Sequence, residues 1–89
     1  MTPAMRARLQ AAFDHVGDRK RAGANAATII GELVQSHKAT FNTMAWTNTL
    51  RVAGVQTSNT ASKDDGLLDA WTGRAAMKLM EPEGGYASE

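Results

Sequence analysis

Stretches of helical periodicity, three residues suited to cap helices and polar text between them predict an all-α fold, a small four-helix bundle. The chain has 89 residues, enough for one domain that buries about 60 to 65% of its unfolded surface. The helical domain is expected over residues 1–82, with a polar C-terminal tail at 83–89.

The first helix is expected over residues 2–16. Met5, Leu9, Ala12, Phe13 and Val16 recur at helical spacing and form one apolar stripe. Thr2 is suited to cap it and Pro3 to begin it, while Gly17 reads as its stop. Asp18, Arg19, Lys20, Arg21, Ala22 and Gly23 then form a charged connection.

A second helix follows over residues 25–37. Asn25 is a good cap, and Ala26, Ile30, Leu33, Val34 and His37 share a face. Gly31 weakens it by about 1 kcal/mol relative to alanine, so either a neighbouring helix approaches closely or the loss is tolerated.

From residue 39 to 62 the composition shifts to six threonines, three asparagines, two serines and a glutamine, with Arg51 as the one charge. A helix over residues 43–53 aligns Trp46, Leu50 and Ala53 and is the preferred assignment. The same text also permits short strands within residues 50–57, turned at Ala53-Gly54. Gln56 to Ser62 is then a polar loop.

The last helix is expected over residues 62–80, capped by Ser62 with Asp64 and Asp65 in its electropositive first turn. Leu68, Trp71, Ala75 and Leu79 form its stripe, with Leu67 and Met80 on the flanks, and Glu81-Pro82 closes it. Trp46 and Trp71 are assigned to the core, the alternative being that one is an exposed anchor for a protein partner.

The net charge of +1 hides a sorting of sign. Residues 1–63 hold eight Lys/Arg against three Asp/Glu, and residues 64–89 hold two against six. The acidic part is accounted for by helix capping and the tail. The basic part implies an anionic partner if folding gathers it onto one face.

Chemistry is poorly represented. The absence of cysteine removes disulfides, thiolate metal sites and thiol catalysis, and suits a reducing, cytoplasmic compartment. Arg6 and Arg8 interrupt any secretory signal, and no run reaches the roughly 20 apolar residues of a membrane span, so a soluble chain is expected. Asp64, Asp65 and Asp69 could hold magnesium only with substrate phosphates, and helix-dipole complementation explains them more simply. His15 and His37 lack companions at ligand spacing, Ser58 and Ser62 lack a nucleophile elbow, and no glycine-rich phosphate loop is present. No enzyme, cofactor or metal is expected.

Residues 50–63 carry part of a helix-turn-helix pattern, in which a glycine-hydrophobe turn precedes a polar recognition helix. The pattern departs in two places, since Thr60-Ala61-Ser62 arrives one residue late and Leu50 stands where a small residue is usual. It names no family.

The expected function is therefore binding without chemistry. A small DNA-binding or regulatory protein would place Arg19, Lys20, Arg21, Arg51 and Lys63 on phosphates of duplex DNA, with Gln56, Thr57, Ser58 and Asn59 toward base edges. The alternative is a protein-docking module that meets an acidic protein surface. Such a module would be an adaptor, a subunit of a homo-oligomer or larger assembly, or a small inhibitor of a host enzyme encoded by a phage or other mobile element.

Overall fold

The computed structural model describes residues 2–60 and 64–81. Its elements run α1 (Pro3–Arg21), α2 (Ala26–Ser36), β1 (Thr40–Met44), β2 (Thr47–Val52), β3 (Val55–Asn59) and α3 (Asp64–Met80). This is an α+β fold of three helices and a three-stranded antiparallel sheet, which replaces the expected four-helix bundle.

α1 starts as its sequence dictates. The Thr2 hydroxyl accepts from the Met5 amide at 3.1 Å, Pro3 opens the helix, and Leu9, Ala12 and Val16 are buried. Gly17 does not stop it. The helix runs on to Arg21, where Gly23 takes φ +89° and its amide donates to the Lys20 carbonyl while Ala24 donates to Arg19, closing a Schellman motif.

In α2 the Asn25 side chain accepts from the Thr28 amide at 2.8 Å, and Ala26, Ile29, Ile30 and Leu33 are buried. Gly31 faces open space, so it is tolerated there and serves no close packing. Lys38, at φ +57°, turns the chain from α2 into β1.

The principal correction falls on residues 43–53, where the structure has a hairpin and no helix. Burial explains it, because Leu50 and Val52 are buried with Arg51 exposed between them, and Val55 and Thr57 are buried with Gln56 exposed between them. That alternation has the period of a strand. Val52 pairs with Val55 across Ala53 and Gly54, whose φ angles of +50° and +82° are those of a type I′ turn, the form that matches strand twist.

A second two-residue turn, Ala45-Trp46, joins β1 to β2, with Met44 opposite Thr47. Ala45 sits at φ +55°, a left-handed conformation that costs an alanine about 1 to 2 kcal/mol. Trp46 is 84% exposed and does not belong to the core to which its spacing had assigned it.

α3 covers the inner face of β2 and β3, and α1 and α2 pack against α3, with α2 also touching β1. Leu67, Leu68, Trp71 and Ala75 of α3 are buried, and the Trp71 indole N–H donates to the Val55 carbonyl at 3.1 Å. Arg6 of α1 reaches the other end of α3, where its guanidinium donates to the carbonyls of Leu79 and Glu81. It satisfies acceptors that the last turn leaves open. The Ser62 cap and the tail at 83–89 lie outside the described residues. Among the described residues no helix is long and apolar enough to cross a membrane.

Candidate functional site

The register divides the sheet into two chemically different faces. Phe41, Leu50 and Thr57 stand in one row across the inner face, and Thr43, Asn48 and Asn59 in the next. The outer face carries Thr40, Arg51 and Gln56 in one row, Asn42, Thr49 and Ser58 in the next, then Met44 and Thr47. All three helices lie on the inner side or against α3, and among the described residues nothing covers the outer face.

That outer face is rich in hydroxyls and amides and holds one charge, Arg51. Among the described residues Arg51 has no carboxylate partner. No Asp or Glu occurs between Glu32 and Asp64, so Lys38, Arg51 and Lys63 are the only formal charges of that whole stretch. Beside the β3 edge, Arg74 of α3 lines a shallow hollow with Gln56, Thr57, Ser58 and Ala70. Arg74 and Lys78 also border a second hollow that reaches Gly54, but Glu81 lines it too and pairs with Lys78 at 3.9 Å. Arg74, with no carboxylate partner among the described residues, thus flanks the polar face along one side.

The run Arg19-Lys20-Arg21 is placed quite differently. It forms the last turn of α1, where a cation is favoured by the helix dipole, and each member has its own carboxylate. Arg19 Nε lies 3.0 Å from Glu32, Lys20 pairs with Asp69 of α3, and Arg21 pairs with Asp18 one turn back. Each of the three cations thus has a carboxylate beside it within the molecule.

The polar run that sequence assigned to base reading is also divided. Gln56 and Ser58 stand on the outer face beside Arg51 and Thr49, and the Thr49 and Ser58 hydroxyls are 3.4 Å apart. Thr57 points the other way, is 6% exposed, and its hydroxyl has no hydrogen-bond partner among the described residues. Asn59 also faces inward, and accepts from the Asn48 amide at 3.2 Å. Lys63 lies outside the described residues. The strand period separates what a recognition helix would have presented together, so the helix-turn-helix arrangement is absent here: residues 55–59 form β3.

One cluster escaped the sequence reading. His15 Nε2 stands 2.9 Å from Glu32 Oε1, the same oxygen that receives Arg19, and the His15 and His37 rings lie 5.1 Å apart. Desolvation pushes the Glu32 carboxyl up, but the hydrogen bonds from Arg19 and His15 outweigh it and hold the carboxyl below its ordinary value. A carboxylate so stabilised is a poor general base. Desolvation, reinforced by His15, lowers His37. The cluster joins α1 to α2. No sequence signal marks it, because His15 and Glu32 are 17 residues apart.

Among the described residues no group of three His, Cys, Asp or Glu is gathered closely enough to hold a metal ion, and Asp69 is engaged with Lys20. Comparison with protein-family models, with curated proteins and with solved structures finds no match to this chain.

Proposed function

We propose that this chain is a small, non-enzymatic, cytoplasmic DNA-binding protein that meets duplex DNA with the outer face of its sheet. The observation that carries the reading is the carboxylate-free polar face, uncovered among the described residues, with Arg51 on its central strand. A phosphate approaching it meets Arg51 among hydrogen-bond donors, and no carboxylate projects from the strands there.

Geometry supports β2 and β3 as the inserting pair. The major groove, about 12 Å wide, admits a two-stranded ribbon, and neighbouring strands are about 4.8 Å apart. Arg51 and Gln56 are directly opposed on that ribbon, and Thr49 and Ser58 form the next outward pair. Arginine matches the O6 and N7 acceptors of guanine, and glutamine the N6 and N7 atoms of adenine. Arg74 beside the β3 edge would then meet the backbone.

With one or two free cations engaged, Arg51 and Arg74, log K should fall with log salt at a slope of only about −1 to −2. Fluorescence anisotropy of a labelled duplex in a salt series tests this. Arg51→Glu should weaken binding about tenfold or more, the scale of one lost bidentate contact. No binding at low salt, or an Arg51→Glu protein that binds like the parent, would end the reading.

A second reading rests on β1, an edge strand whose five residues are all exposed and whose outer edge has no strand partner among the described residues. Such an edge can accept a strand from another chain. A protein-docking module of this kind would be a stable multimer or would copurify with a partner, and light scattering separates it from a monomer that binds DNA.

A further inference from the structure

The β1–β2 turn projects past the packed core, since no residue from Phe41 to Thr47 is buried. At its tip Met44 is 75% and Trp46 84% exposed. A tryptophan is seldom left so open, because it is the side chain with most apolar surface to hide. The turn also holds Ala45 at φ +55°, where asparagine or glycine would be at ease. Backbone strain of this kind concentrates where a structure presents a functional group. The base of the turn is braced, because the Thr43 hydroxyl donates to Asn48 at 2.8 Å and the Asn48 amide donates to Asn59.

Size and surroundings decide what the tip holds. A stable protein interface takes about 800 Å² from each partner, whereas one tryptophan offers about 150 to 250 Å², the scale of a single flat ring system. The tip is also continuous with the carboxylate-free outer face, since Met44 and Thr47 form its last row. We infer that Trp46, flanked by Met44, is a stacking platform for one unstacked nucleobase, so that the chain favours DNA in which a base already stands out of the helix. This rests on the DNA-binding reading above. The sheet holds the duplex while the indole covers the base that has left it.

The test compares a perfect duplex with the same duplex carrying one extra, unpaired thymine. Trp71 is fully buried and Trp46 is not, so a change in tryptophan emission on binding reports the tip. The bulged DNA should quench that emission and bind about 5- to 150-fold more tightly, the range spanned by one base stacked on an aromatic ring. Trp46→Ala should erase the preference and leave affinity for the perfect duplex within about twofold, and Trp46→Phe should keep most of it. If Trp46→Ala retains the preference, or saturating bulged DNA leaves the emission unchanged while Arg51→Glu still weakens both DNAs, the stacking platform is refuted and the DNA-binding reading stands. If neither DNA binds the parent protein, both fall together.

Discussion

The helical layer and the outer sheet face both carry arginine and dispose of it in opposite ways. Arg19, Lys20 and Arg21 are each matched to Glu32, Asp69 or Asp18, and Arg6 is bonded to the end of α3. On the sheet, Arg51 faces solvent among hydroxyls and amides. The density of cations in a sequence is therefore a poor guide to which of them can meet a partner. What matters is whether the fold has already set a carboxylate against each one.

The contrast can be broken most severely through the layer that supports both regions. Trp71→Ala should destabilise the protein by about 3 to 5 kcal/mol, because it empties the centre of the core and removes the indole's hydrogen bond to the Val55 carbonyl. In a domain this small, urea denaturation should find little folded population left. A sharper division follows from charge reversal. Arg51→Glu should lower DNA affinity about tenfold with little change in the urea midpoint, whereas Lys20→Glu should lower the midpoint and change affinity less than about threefold. Equal effects of the two reversals on affinity would remove the distinction between paired and free cations.

A smaller effect is expected inside the sheet. Thr57→Val replaces a buried hydroxyl that has no partner among the described residues with a methyl of the same shape, and should raise stability by about 1 kcal/mol without altering binding. The smallest is the response to acid. His37 is held neutral more strongly in the folded chain than in the unfolded one, so below about pH 6.5 the unfolded chain takes up its proton first and stability declines. Glu32, held low by Arg19 and His15 against its desolvation, adds stability above the ordinary carboxylate range that is lost as pH falls through its folded value. Both push the same way. The melting temperature should be lower at pH 5.5 than at 7.5, and His37→Gln should shrink that difference; an unchanged difference would show that the titrating group lies elsewhere.

Much of the helical layer was legible in the sequence. Thr2, Pro3 and Asn25 act locally, through hydroxyl, ring and amide groups that fix a helix start without help from distant residues. The stripe Leu9, Ala12, Val16 needed only the helical period. β1 was illegible because its residues are exposed on both faces, so Thr40–Met44 shows no alternation to read. Trp46 misleads for a related reason, since its helical spacing with Leu50 implies a shared buried face, and the turn holds it in solvent. The Ala53-Gly54 turn was visible in the text as the weaker of two assignments, and the alternation of Leu50, Val52, Val55 and Thr57 around it was the signal to weigh more heavily. Of the candidate site, Arg51, Gln56 and Ser58 are brought together on one face. Nothing local could have revealed that Lys20 meets Asp69, 49 residues away.

The one-sided sheet has a consequence for how freely this chain can change. Folding depends on the inner rows and on α3, while Thr40, Asn42, Thr47, Thr49, Gln56 and Ser58 project away from both. Exchanges at those six positions face only the strand preference of the new residue, a scale that spans about 1 kcal/mol. A library randomised there should fold as often as it keeps to strand-forming residues, which makes this face a surface whose choice of target can drift, or be selected, without rebuilding the protein beneath it.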